Sequence, residues 1–175
     1  MEREIREMRE KELKLFVIEF NKGSQIDRAF RNITKEKKKA FRQALLRETI
    51  YLFSKVDEGS LKNEDIFNSI KKVKDIDKNI SFGQAQKVIN VAVKQYCFIT
   101  KQKENILQEL DCPLDSITMK GYGIKNRKMC NVSETDYVEY QKHFKEERGL
   151  KVLKDNEYDD NRINNFTKGG ENVIS

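Results

Sequence analysis

The chain has 175 residues, enough for one domain with a real core and too few for a second of similar size. Hydrophobic and charged residues each make up 37% of it, and Phe, Ile, Leu and Val recur throughout, which excludes a disordered chain. One proline and eight glycines leave long segments without breakers, favouring helices over a meander of short strands, and the net charge of +6 suits a polyanionic partner.

The first predicted element is an amphipathic helix over 2–21. Ile5, Met8, Phe16, Val17 and Phe20 recur in it at helical spacing, and charges fill the rest. It is charged from residue 2 onward, so no secretory signal is expected, and no run of apolar residues approaches a membrane span. Lys22-Gly23-Ser24 stops it, and a short helix over 25–31 is expected next. Thr34 caps a helix over 35–56, with Phe41, Ala44, Leu45, Leu52, Phe53 and Val56 as its buried stripe. Lys35, Lys37, Lys38, Lys39 and Arg42 crowd its first turns, where cations oppose the helix dipole. That cluster is either a solvated face or a surface kept for a polyanion.

A fourth helix begins after Ser60, with Ser60 or Asn63 as cap and Leu61, Ile66, Phe67, Ile70 and Val73 inward; 74–79 is a polar connector. Ser81 caps a helix over 82–101. Phe82, Ala85, Ile89, Ala92, Val93, Tyr96 and Ile99 hold its period, and Val88, Val91, Cys97 and Phe98 broaden the stripe, so this helix is expected to be central and buried on several sides. A turn or two over 104–110 leads to Pro113, which disfavours helix at Cys112 and starts a new element after itself. Residues 121–123 form a loop. Ser133 caps a helix over 134–148 with Tyr137, Tyr140, Gln141 and Phe144 on one face. The expected fold is all-α, five to seven helices in one compact domain over 1–163, packed around the helix near 82–101, with a frayed tail over 164–175.

Charge divides the chain. Residues 22–48 hold nine Lys/Arg against three Asp/Glu, whereas 134–160 hold five against nine. Cys97, Cys112 and Cys130 are odd in number and match no metal spacing; Cys97 reads as a small buried hydrophobe, and the set implies a reducing cytosol. His143, the single histidine, lies in a charged helical stretch and reads as a surface residue. No phosphate-binding P-loop and no dinucleotide fingerprint occurs, and the acidic run Asp155, Glu157, Asp159, Asp160 lacks the glycine and terminal glutamate of a calcium loop. No metal and no cofactor is expected.

The chemistry-bearing segment is 81–116. In Ser81-Phe82-Gly83-Gln84-Ala85-Gln86-Lys87-Val88-Ile89-Asn90 a glycine sits in the first turn of a buried helix and a lysine follows one turn later. A glycine there lets another backbone, such as a phosphate chain, approach the helix amides. Downstream stands Cys112-Pro113-Leu114-Asp115-Ser116. Lys87 is either a solvent-facing lysine or a nucleophile, and Asp115 either the N-cap of a helix starting at Ser116 or an active carboxylate. Gln84, Gln86 and Asn90 either line the polar face or hydrogen-bond a ligand. Tyr122, Lys125 and Arg127, in a loop that pairs an aromatic with cations, belong either to an ordinary surface loop or to one that stacks a base and holds a phosphate.

These two signals together resemble the helix-hairpin-helix DNA glycosylases. In that family a glycine-containing turn leads into a helix whose early lysine is the Schiff-base nucleophile of the bifunctional members, and an essential aspartate follows in a segment reading roughly Val-Pro-Val-Asp. The resemblance gives Gly83 and Ala85 the hairpin positions, Lys87 the nucleophile and Asp115 the aspartate. It implies a DNA glycosylase or lyase, with Gly83, Gln84, Gln86, Lys38, Lys39, Arg42, Tyr122, Lys125 and Arg127 as candidate nucleic-acid contacts. Two other readings stay open: a non-enzymatic nucleic-acid-binding protein, and a helical interaction module that pairs with another protein or with itself through its basic and acidic ends. All three place the chain in the cytoplasm, away from membranes.

Overall fold

A computed structural model describes residues 34–121, 123, 124, 128–149, 151 and 152. The helices expected over 2–21 and 25–31, the frayed tail, the acidic run from Asp155, and Tyr122, Lys125 and Arg127 lie outside the described residues. The described chain is all-α. Its helices are α1 (Lys35–Asp57), α2 (Asn63–Lys74), α3 (Phe82–Ile99), α4 (Glu104–Leu107), α5 (Ser116–Gly121) and α6 (Glu134–Arg148), with a 3-10 turn at Met129–Asn131 before α6. None of them is long and apolar enough to cross a membrane.

Local chemistry sets most of these limits. Thr34, Ser81 and Ser133 each accept a hydrogen bond from a backbone amide in the first turn of α1, α3 and α6. At α3 and α6 the bond is returned: the side chains of Gln84 and Asp136 accept from the backbone amides of Ser81 and Ser133, completing capping boxes. The start of α2 departs from expectation. The amides of Ser60 and Leu61 close onto the Lys55 carbonyl at the end of α1, so the helix begins only at Asn63. Two carboxylates do the capping there: Asp65 accepts from the Lys62 amide and Glu109, 46 residues away, from the Asn63 amide.

α1 runs antiparallel to α2, because Tyr51 meets Asp65 while Glu48 meets Ser69 and Lys72. α3 runs alongside α1 in the same direction. At one end Lys37 pairs with Asp77 in the connector leading into α3, and at the other the Tyr96 hydroxyl donates to Asp57 at 2.9 Å. Between them Phe53 and Tyr96 stack with ring centroids 4.0 Å apart. α3 is the centre. Ala85, Ile89, Val93 and Cys97 are fully buried, and Phe82 closes an aromatic cluster with Phe67 and Tyr137. Burial of each such large side chain contributes about 1.5–3 kcal/mol, which outweighs the modest helix propensity of its β-branched residues.

Gly149, at a positive φ of 74°, ends α6 and turns the chain so that Lys151 and Val152 return to the core. Cys97 and Cys112 are buried and Cys130 is exposed. Burial, with the Asp57 charge, pushes the Cys97 thiol up to about 12, so it acts as a hydrophobe and not as a nucleophile. His143 lies on the exposed side of α6.

Candidate functional site

The site is built where the first turns of α3 meet the segment between α4 and α5. That segment, from Leu110 to Asp115, is buried at every residue although it belongs to no helix. Its backbone therefore needs partners from elsewhere, and two glutamines supply them. Gln141 on α6 accepts from the Cys112 amide at 2.9 Å and donates to the Cys112 carbonyl at 2.7 Å. Gln86 on α3 does the same for Leu114, accepting from its amide at 3.1 Å and donating to its carbonyl at 2.6 Å. Pro113, between the clamped residues, has no amide hydrogen to satisfy.

Next to this clamp, Lys87 and Asp115 meet. The Lys87 Nζ lies 3.0 Å from Asp115 Oδ2. The aspartate side chain is 9% exposed and the lysine 34%, so the pair sits at the surface with the amine on the open side. Asp115 also caps α5: its Oδ1 accepts from the Thr118 amide at 2.8 Å and from the Thr118 hydroxyl at 3.1 Å. One oxygen holds the helix and the other faces the lysine, so the N-cap reading of this residue holds without consuming the whole carboxylate. Burial alone raises its carboxyl pKa, but the Lys87 charge and the hydrogen bonds from Thr118 and Lys87 outweigh that and hold it below the ordinary carboxylate range. Asp115 is thus a charged group and a weak base.

The other expected contacts are placed differently. Gly83 is buried, and a Cβ built on it lies 1.8 Å from the Met129 carbonyl oxygen. The close backbone approach that the glycine permits is made by the chain's own 3-10 turn. Gln84 takes part in the capping box with Ser81. Gln86 donates to the Gly83 and Leu114 carbonyls and accepts from the Leu114 amide and Asn90, which occupies both its hydrogens and both its lone-pair sites. Lys38, Lys39 and Arg42 lie on the opening turns of α1, Lys39 and Arg42 well exposed. The Lys37–Asp77 pair puts those turns at the end of the bundle where α3 begins.

No family model, no curated protein and no solved structure matches the chain.

A buried network behind the pair was not visible as a site in the sequence. Asn90 donates to Gln86 and, at 2.9 Å, to the Tyr137 hydroxyl, which donates in turn to Asp111 Oδ2 at 2.5 Å. The other Asp111 oxygen accepts from Asn63 and from Lys151. Burial, then the Asp111 charge, push the Tyr137 phenol well above its usual range, consistent with a neutral donor. Its traces in the sequence are the polar residues Gln86 and Asn90 beside the buried stripe of α3 and the periodicity that puts Tyr137 and Gln141 on one face of α6. Among the described residues no group of three or more His, Cys, Asp or Glu side chains is placed to hold a metal ion.

Proposed function

We propose that the chain acts on nucleic acid as a base-excision glycosylase with lyase activity, in which Lys87 is the nucleophile and Asp115 its stabilising carboxylate. The observation that carries this reading is the 3.0 Å contact between a half-buried amine and a buried carboxylate that are 28 residues apart. An amine at the protein surface, fixed against a carboxylate that is itself fixed to a helix, is what imine chemistry on a sugar requires.

The nucleophile is the free amine, and the lysine's proton goes to solvent. The free amine then adds to C1′. At an abasic aldehyde it forms the C–N bond and water leaves; at an intact nucleoside the base departs with the bonding electron pair and takes a proton. Either route ends in an imine once the sugar ring has opened. Loss of a proton from C2′ to a solvent base then expels the 3′ phosphate, and water adds to the imine carbon and breaks the C–N bond, freeing the lysine amine and leaving the sugar as an aldehyde. The lowered pKa of Asp115 supports a stabilising role. A weak base does not retain the lysine proton, but a carboxylate that stays charged stabilises the positive sugar and the iminium. The target base must leave the stack to reach this pair.

Borohydride trapping on duplex and single-stranded DNA carrying abasic sites and a panel of damaged bases tests the reading. A covalent adduct is expected with the wild type and none with Lys87→Ala. Asp115→Asn is expected to trap roughly 100-fold more slowly, the scale of losing one electrostatic stabiliser. No adduct and no base release from folded protein would remove the catalytic reading. Non-enzymatic nucleic-acid binding would then be the better account, because the exposed cations on the first turns of α1 support binding without the lysine–aspartate pair.

A further inference from the structure

We infer that Gln86 is a positioning residue: its side chain fixes Leu114 so that the next residue, Asp115, meets the next residue of α3, Lys87. The inference rests on the reading of Lys87 and Asp115 as the reacting pair.

Two consecutive residues of α3 engage two consecutive residues of the buried segment, Gln86 with Leu114 and Lys87 with Asp115. The first contact is rigid. Gln86 is fully buried, its amide is paired to both polar groups of one peptide residue, and its carbonyl oxygen and amide are further fixed by Asn90 and the Gly83 carbonyl. The second contact joins a half-exposed lysine with several rotatable bonds to a carboxylate. A flexible cation does not define where the carboxylate sits. A buried planar amide with every hydrogen-bonding site used does. A glutamine with no site left for a ligand therefore still acts on the chemistry, through the backbone of its neighbour.

Gln141 provides an internal control. It is buried, makes the same pair of bonds to the backbone of the same segment, and holds Cys112, three residues from Asp115 and on the far side of Pro113. If any loosening of the segment disturbed the site, the two glutamines would be equivalent. If Gln86 sets the local register, they differ.

The test is the titration of the Asp115 carboxyl, followed by carbon NMR in full-length protein, with Asp115→Asn identifying the resonance. Gln86→Met keeps the volume and removes the clamp; Gln86→Asn keeps the amide but shortens its reach. In both, the Asp115 midpoint is expected to rise as Lys87 loses its fixed partner, while Gln141→Met leaves it in place. Imine trapping is expected to slow on the order of 100-fold in the Gln86 variants, the cost of a misplacement of about 1 Å, and far less in Gln141→Met. An unmoved midpoint in whichever Gln86 variant folds, or an equal rise in Gln141→Met, overturns the inference. So does failure of both Gln86 variants to fold while Gln141→Met folds, since Gln86 would then be a scaffold residue. If the wild type does not trap at all, the catalytic reading fails while the titration still decides whether Gln86 positions the pair.

Discussion

Gly83 carries a lesson about what a glycine reports. The sequence suggests a backbone such as a phosphate chain approaching the first turn of α3, and the structure puts the chain's own Met129 carbonyl against Gly83. Which backbone it was could not be read, because the Met129 carbonyl is brought there by a turn 46 residues further on. Replacing Gly83 by alanine sets two effects against each other. Alanine is favoured over glycine in a helix by up to ~1 kcal/mol. The new methyl, however, would lie 1.8 Å from a backbone oxygen, so either α3 or the 3-10 turn has to move. Overpacking of this kind costs roughly 1–3 kcal/mol or more and outweighs the propensity gain. Chemical denaturation of Gly83→Ala is therefore expected to show a lower midpoint; a midpoint equal to or above wild type would mean that the turn does not bear on α3.

At the scale of elements, legibility followed the range of the interaction. The helices at 35–57, 82–99 and 134–148 were read almost to their ends, because Thr34, Ser81 and Ser133 cap them from the adjacent residue and their stripes recur every three to four positions. The start of α2 was misread since its capping partner is Glu109, and the 3-10 turn at 129–131 has no local signature. The buried segment 110–115 is the extreme case. Only Pro113 and Asp115 stood out in it, while the glutamines that make its burial tolerable come from α3 and α6. Elements tied by carboxylates also respond to acid. Asp115 links α5 to α3, and Asp77 links the connector before α3 to α1. Lys37 and the Asn79 amide hold the Asp77 carboxyl below its ordinary value, as the Lys87 charge and Thr118 do for Asp115 against the opposing effect of burial. A carboxyl whose folded pKa is depressed stabilises the fold at any pH above its unfolded value of about 3.9 and loses that contribution as pH falls through the folded pKa. Thermal melts below about pH 4 are thus expected to fall more steeply for wild type than for Asp115→Asn or Asp77→Asn. Parallel slopes for all three proteins would show that neither carboxylate contributes to acid sensitivity.

Over the whole molecule, charge is the property that sequence and fold share. The net +6 is equalled by the excess within 22–48 alone, and the fold puts the described end of that stretch, the opening of α1, beside the connector into α3. Cations at a helix N-terminus oppose its dipole, and Lys37 is offset there by Asp77. A polyanion lying across that end of the bundle would offset the charge that Lys38, Lys39 and Arg42 add there. On the nucleic-acid reading, each phosphate neutralised releases counterions, so the logarithm of the association constant falls linearly with the logarithm of salt concentration, by about 0.9 per phosphate on duplex DNA. Neutralising Lys38, Lys39 and Arg42 together to glutamine is expected to weaken binding at low salt and to make that slope shallower by about 2–3. A melt of the same variant checks that the fold is kept. Fluorescence anisotropy across a salt series, paired with a melt, reads both quantities. A slope that stays at the wild-type value would place the polyanion on another face, and a drop in melting temperature would assign these three cations to the fold.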